Sequence, residues 1–175
     1  MKPSAFKVLF LLLLFVGAAF AGHWVTLEII PKKAMQTVID RAGQSGEREN
    51  VLIHAPPVTP NSRRVVRPSP DLIYSICVYD LDEGPIKLSL TPSDHYASLS
   101  LYDDKTNNFF VENNIGRQGK VLSVIVSKTE NTLGSAKTVT SPSMKGVALI
   151  RRAAATAEQL QNSMEARNYD FCSPV

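Results

Sequence analysis

The sequence has few residues of the kinds that build chemical sites. Its 175 residues include two cysteines, three histidines and one tryptophan. The histidines, His23, His54 and His95, lack the spacing of metal ligands, so no metal site is predicted. No G-x-S-x-G nucleophile elbow, phosphate-binding P-loop or Gly-rich dinucleotide fingerprint occurs in the chain. We therefore predict no catalytic residue and no cofactor, and the composition favours a protein that is not an enzyme.

The excess of charge is also small. Nineteen basic and sixteen acidic residues leave a net charge of +3, which is too mild a balance to indicate a nucleic-acid partner. The only basic cluster is formed by Arg63, Arg64 and Arg67 in a Pro-rich stretch. It has two interpretations, a solvated loop or a contact with an anionic lipid or protein partner.

The chain has one long hydrophobic run, and it lies at the amino terminus. Lys2 and Lys7 precede residues 8–21, which contain no charge. A signal peptide cleaved after Ala21 is one interpretation, because Ala19-Phe20-Ala21 fits the small-x-small rule. The other is an uncleaved anchor over residues 8–30, long enough to cross about 30 Å of hydrocarbon. We adopt the anchor, and either interpretation places the remaining chain outside the cytoplasm.

The composition divides the rest of the chain into two parts. Pro31 fits the first turn of a new helix, which Gly43 would end. Five prolines between residues 56 and 70 then exclude a helix or a central strand. We predict an anchor or signal segment over residues 1–30, a short helix and Pro-rich linker over 31–66, and a β-domain over 67–175.

From residue 71 onward the pattern is typical of β structure. Short apolar or alternating runs recur about every twelve residues with turn residues between them, which predicts an antiparallel β-sandwich with jelly-roll or Greek-key-like topology. A single helix follows, with Thr156 at the capping position and Gln159 three residues later. The predicted fold class is mainly β, with an N-terminal transmembrane helix and a C-terminal helix.

The two cysteines, Cys77 and Cys172, are an even pair in a chain with an export signal. An oxidising compartment allows them to form a disulfide, and only one connectivity is possible. We predict this disulfide between Cys77 and Cys172, and the alternative is two buried free thiols. Neither cysteine has a neighbouring histidine or a C-x-x-C partner, so a catalytic thiol is not predicted.

Four residues of the β-domain are candidates for binding a ligand. Asp71, Tyr74, Tyr96 and Tyr102 could line a shallow aromatic cleft. The alternative is that the tyrosines lie at the rim of the core, where one end of the ring is apolar and the other is wet.

Residues 64–74, Arg-Val-Val-Arg-Pro-Ser-Pro-Asp-Leu-Ile-Tyr, and residues 79–85, Tyr-Asp-Leu-Asp-Glu-Gly-Pro, resemble a known family. They are similar to the Asn-Pro-Asp-Thr-x-Tyr stretch and the following strand of domain-of-unknown-function family 1254. Pro70, Asp71 and Tyr74 match, whereas Ser69 replaces the Asn and Leu72 the Thr. The chain looks most like short, single-domain, membrane-anchored proteobacterial members. This resemblance implies a jelly-roll-like sandwich and a pair of cysteines at the positions of Cys77 and Cys172. It implies no catalytic residue.

Together these observations predict an uncharacterised envelope protein with a binding or structural role. It would be a single-pass protein of the bacterial inner membrane with its C-terminal domain in the periplasm. Its partners would be the membrane and a protein of the envelope. The alternatives are a small-ligand-binding or hydrolase-like β-domain, and a secreted or periplasmic protein if the leader is cleaved after Ala21.

Overall fold

A computed structural model describes residues 4–62, 67–117, 119–130 and 137–175. Arg63 and Arg64 of the predicted basic cluster lie outside the described residues.

The first element is a single helix of 38 residues, α1, which spans Ala5–Ala42. Ser4 caps its amino terminus by accepting a hydrogen bond from the Lys7 backbone N–H. The prediction that a new helix begins at Pro31 is wrong, because Pro31 lies inside this continuous helix. Proline removes one backbone hydrogen bond and usually interrupts a helix. Here the turns after Pro31 are held by the packing of Met35 against the β-domain.

Nine strands follow in the described part of the chain, with a second α-helix before the last of them. The helix α2 spans Ala157–Arg167. The strands are β1 (Leu52–His54), β2 (Leu72–Asp80), β3 (Ile86–Leu90), β4 (Ala97–Tyr102), β5 (Asn108–Asn113), β6 (Leu122–Ser127), β7 (Lys137–Thr140), β8 (Lys145–Ala153) and β9 (Phe171–Pro174). The first of these strands, β1, lies in the segment predicted as helix and linker.

The strands form two sheets. One has the order β1-β2-β8-β4-β5 and is antiparallel throughout, and the other has the order β7-β6-β3-β9. The second sheet differs from the antiparallel prediction at one edge, where β7 runs parallel to β6. In an antiparallel hairpin the first residue of β7 would pair with the last residue of β6, Ser127. The first residue, Lys137, pairs instead with Val124, near the start of β6. The prediction of a mainly β fold with an apolar N-terminal helix and a C-terminal helix is confirmed.

Both sheets contribute to one hydrophobic core, which gives a sandwich-like arrangement. Alternate residues of each strand point inward, because successive side chains of a strand lie on opposite faces. The inward set is fully buried and includes Leu99, Leu101 and Ile150 from the first sheet and Leu88, Leu90 and Val126 from the second.

The disulfide joins the two sheets. Cys77 in β2 is bonded to Cys172 in β9, with the two Cα atoms 6.4 Å apart and a sequence separation of 95. Cys77 is fully buried and Cys172 nearly so. The last strand is therefore held covalently across the core as well as by its pairing with β3.

The end of the domain that carries α2 is called the distal end, and the opposite end, where β4 reaches Tyr102, is called the helix-proximal end. At the distal end the Thr156 hydroxyl accepts a hydrogen bond from the Gln159 backbone N–H, as the capping prediction requires. A buried ion pair lies beside α2. One Arg152 nitrogen donates to both carboxylate oxygens of Asp170 at 2.7 Å, and Arg152 is only 1% exposed.

Candidate functional site

The carboxyl-terminal turns of α1 pack on the outer face of the five-stranded sheet. Met35 is buried there against Val78 of β2 and Val147 of β8. Partly buried neighbours from the helix and the sheet extend this second apolar cluster; they are Val38, Ile39, Ala42, Ile76 and Tyr102. The cluster joins the helix to the sheet, so the helix forms one side of whatever lies at the helix-proximal end.

A polar contact joins the helix to the domain two turns earlier. Glu28 of α1 forms an ion pair with Lys105, which lies in the turn between β4 and β5. Asp103 orders that turn, since its carboxylate accepts hydrogen bonds from the Lys105 and Asn107 backbone N–H groups at 2.9 and 2.8 Å. The helix and the turn are therefore in contact at Glu28 as well as at the apolar cluster.

Between these two contacts lies a cleft of about 610 Å³. Four lysines from four separate segments line it, and we call it the lysine cleft; they are Lys32 of α1, Lys105 of the β4–β5 turn, Lys128 after β6 and Lys145 at the start of β8. Of the described residues that line it, Asp104 alone is acidic. The lining is completed by the polar side chains of Gln36 and Ser143 and by apolar atoms.

Two of the four ammonium groups are neutralised by acidic neighbours. Lys145 lies 2.9 Å from a Glu49 oxygen and 2.8 Å from an Asp80 oxygen. The hydrogen bonds to these two carboxylates hold the pKa of Lys145 well above its usual range. Lys105 is paired with Glu28.

The other two ammonium groups have no carboxylate within 4 Å in the described part of the chain. The Lys128 ammonium donates to the carbonyl oxygens of Ser141 and Pro142, at 3.3 and 2.5 Å. An ammonium group has three donors, so one remains after these two bonds. Lys32 is exposed on α1, one turn beyond Glu28. The cleft therefore offers an anion the N–H donors of two ammonium groups that are not paired with a carboxylate.

Among the described residues that line the cleft there is no cysteine, no histidine and no pair of carboxylates. Among the described residues no group of three or more His, Cys, Asp or Glu side chains is placed to hold a metal ion.

The structure places two of the four predicted ligand-binding residues on one face. Tyr74 and Tyr102 both lie on the outer face of the five-stranded sheet, on either side of β8. Arg151 of β8 is directly opposite Tyr74 and donates to the Tyr102 hydroxyl at 2.8 Å. The Tyr74 hydroxyl accepts a hydrogen bond from the Ser69 backbone N–H at 2.9 Å.

The other two predicted residues lie at the distal end. The carbonyl oxygens of Asp71 and Tyr96 accept hydrogen bonds from Ala154 and Ala153 at 2.7 and 2.9 Å. Tyr102 is paired with Val147, six residues before Ala153 on the same strand, which corresponds to about 20 Å. The four residues are therefore spread along the sheet, and ligand binding by them stays a prediction.

No pattern in the sequence predicts the lysine cleft. Its lysines are separated by between 17 and 73 residues, and no periodic pattern or motif relates them. The one available signal was Lys32, which follows the apolar segment directly. Only the pairing of β4 with β8, and of β6 with β3, brings the other three to the same end of the domain.

Three comparisons place this geometry among known proteins. The model of a family described as "Protein of unknown function (DUF1254)" matches residues 49–171, in agreement with the resemblance noted in the sequence. No curated protein matches the chain.

Two solved structures are similar in fold. The VPA0106 protein from Vibrio parahaemolyticus has a TM-score of 0.62 at 13% identity, over 82% of this chain and 35% of that one. An uncharacterized protein from Burkholderia cenocepacia has a TM-score of 0.50 at 18% identity, over 67% of this chain and 35% of that one. At these identities the similarity shows the fold alone, and the chain spans about a third of the length of each.

Proposed function

This chain belongs to the DUF1254 family of proteins of unknown function, and from that premise we propose that it is a single-pass membrane-anchored protein. Its β-domain is presented at the periplasmic surface of the bacterial inner membrane. There it has a binding or structural role, and its partners are the membrane itself and a protein of the envelope.

The proposal rests on α1, which combines an exposed apolar segment with a carboxyl-terminal part that packs on the sheet. The helix is long and apolar enough to cross a membrane, and its apolar window is not buried anywhere in the described part of the fold. Phe15 and Phe20, for example, are each 74% exposed. The same helix continues without a break to Met35, which is buried against the sheet. One rigid element thus offers a span at one end and a structural part of the domain at the other.

The exposed residues after Ala21 favour an anchor over a cleaved signal peptide. Cleavage there would leave Trp24, Val25 and Leu27 on the surface of a soluble protein, with 76%, 52% and 58% of their surfaces exposed. Contiguous exposed apolar surface on a soluble monomer favours association. A bilayer removes this cost, because each large apolar side chain gains about 1.5–3 kcal/mol on full burial.

The compartment is proposed from the disulfide between Cys77 and Cys172. Disulfides persist in the periplasm and are rare in the cytosol. The lysines do not decide the orientation, since Lys7 precedes the apolar segment and Lys32 and Lys33 follow it. The proposal therefore predicts that the domain is oxidised in the cell.

The test is to express the full-length chain in a bacterium and to measure its location and intact mass. We expect it in carbonate-washed membranes at its full mass, with both cysteines of the denatured protein resistant to alkylation until a reductant is added. A matched variant, Ala19→Leu with Ala21→Leu, removes the small-x-small site and keeps the segment apolar. Wild type and variant should behave identically.

Two results would contradict the proposal. A soluble wild-type protein that begins at Gly22, with the variant retained in the membrane, would establish a cleaved signal peptide. Membrane-bound protein with both thiols alkylated without reductant would place the domain in the cytoplasm.

A further inference from the structure

The lysine cleft lies at a defined height above the apolar segment. Along α1, Lys32 comes five residues after Leu27, and a helix rises 1.5 Å per residue. Lys32 is therefore about 7.5 Å beyond Leu27, the last apolar residue before Glu28. The polar headgroup layer is roughly 5–8 Å thick on each side of the hydrocarbon. In an anchored chain, Lys32 lies at the level of the headgroups.

Glu28 determines where the hydrocarbon must end. A charged carboxylate within the hydrocarbon is costly, and such residues normally face protein or the interface. Glu28 is paired with Lys105 of the β4–β5 turn, so this turn lies beside the helix at the same height. The boundary of the anchored segment therefore falls before Glu28. This is slightly earlier than residue 30, where the apolar run of the sequence ends.

The orientation of the domain follows from these contacts. The apolar cluster around Met35 and the ion pair at Glu28 attach the helix to the sheet at two heights. The domain is therefore held with its helix-proximal end toward the bilayer. Lys128 and Ser143 line the cleft at this end and belong to segments that follow β6 and precede β8.

Two ammonium groups of the cleft are available to an anion from the bilayer surface. Lys105 is paired with Glu28, and Lys145 with both Glu49 and Asp80, whereas Lys32 and Lys128 have no carboxylate within 4 Å among the described residues. An ammonium group is a compact donor that suits phosphate oxygens. Because the cleft adjoins the exposed apolar face of α1, a lipid could place its phosphate among the lysines and its chains along Leu27.

We propose that the lysine cleft binds the phosphate of an anionic phospholipid headgroup from the leaflet that faces the domain. The contact would hold the β-domain in one orientation on the membrane surface. This inference rests on the proposed anchoring, because a chain cleaved after Ala21 would not hold the cleft at the bilayer.

The experiment titrates lipid into the full-length protein in a neutral detergent and counts bound molecules by native mass spectrometry. The probes are palmitoyl-oleoyl phosphatidylglycerol and the matched phosphatidylcholine. We expect the anionic lipid to bind at least fivefold more tightly. Lys32→Gln and Lys128→Gln should each weaken it about fivefold, the typical contribution of one lysine near an anionic surface. Binding of phosphatidylcholine should stay unchanged.

The control variant is Lys120→Gln, which removes the same charge at the other end of the domain. Lys120 is exposed and precedes β6, whose first residue, Leu122, pairs with Leu90 at the distal end. We expect no change in this variant. An equal loss of affinity for the anionic lipid in Lys120→Gln and Lys128→Gln would show that the lipid preference depends only on net charge, and would overturn the proposal.

Further measurements distinguish a lipid site from a site for a soluble anion, and the lipid site from the membrane anchor. Inorganic phosphate or glycerol phosphate at the same concentration should not displace the lipid; displacement would assign the cleft to a soluble anion and overturn the lipid proposal. Equal affinity for the two lipids in a protein that fractionates with membranes would overturn the headgroup site and leave the anchor intact. A soluble chain beginning at Gly22 would instead overturn the anchor.

Discussion

Replacing both Cys77 and Cys172 by alanine tests how far the fold depends on its covalent link. The bond connects β2, inside the five-stranded sheet, with β9, at an edge of the other sheet. Without it β9 keeps its pairing with β3 and its contacts with β1. The change should therefore weaken the whole domain, whereas the part of α1 before Pro31, which does not pack on the sheet, should be unaffected.

The expected magnitude follows from the length of the closed loop. For a separation of 95 residues, the chain-entropy model gives a stabilisation of about 4.7 kcal/mol, and removal of native disulfides costs about 2–5 kcal/mol in practice. Alanine avoids placing a hydroxyl at the fully buried position 77. We expect a loss of about 4 kcal/mol in the free energy of unfolding. In urea, where the slope is typically about 1–3 kcal/mol per molar, the midpoint should fall by roughly 2 M.

The assay is urea unfolding of the full chain in neutral detergent, followed by circular dichroism of the β structure. The single variants Cys77→Ala, Cys172→Ala and Cys172→Ser are the controls. Each should be destabilised by nearly as much as the double variant, because breaking either end removes the same bond. A loss below about 1 kcal/mol, or single-variant losses that add to the double, would refute the reasoning.

Three further predictions concern other parts of the fold. Gly146→Ala should lower the free energy of unfolding by about 1–3 kcal/mol, since the added Cβ would lie 2.3 Å from the Tyr79 hydroxyl; an unchanged melting temperature would contradict it. Burial raises the pKa of Tyr79 to about 12. The native state therefore holds this proton more tightly, so stability is complete below pH 10 and falls by up to about 3 kcal/mol as the pH rises from 10 to 12. Unfolding measured from pH 8 to 12 should show a smaller decline in Tyr79→Phe. Asp170→Ala leaves Arg152 buried without its carboxylate and should cost about 3–5 kcal/mol, whereas Arg152→Met with Asp170→Leu should recover most of it in the same assay. An equal loss of unfolding free energy in the single and the double variant would disprove the argument that the unpaired Arg152 causes the loss.

Much of the fold follows from local patterns in the sequence. The alternation of Ile86, Leu88 and Leu90 corresponds to β3, whose inward residues are fully buried. The capping residue Thr156 marks the start of α2 within one residue. These elements were predictable because backbone periodicity and capping depend on residues close in sequence.

Other features depended on contacts that no local pattern contains. Pro31 is a reasonable helix start, but packing of Met35 on the sheet keeps α1 continuous. The direction of β7 depends on which part of β6 it meets, and turn residues do not encode this. The predicted tyrosines were correctly placed in or beside strands, yet their distances from one another depend on which strands are neighbours.

The sequence by itself therefore determined an apolar N-terminal helix, the β class of the domain, most strand positions, the C-terminal helix and the family. Each of these depends on local composition and spacing. Only the tertiary structure decided that Lys32, Lys105, Lys128 and Lys145 meet in one cleft beside α1. The physical reason is that strand pairing joins residues far apart in the chain, whereas the charge of a lysine carries no information about its future neighbours.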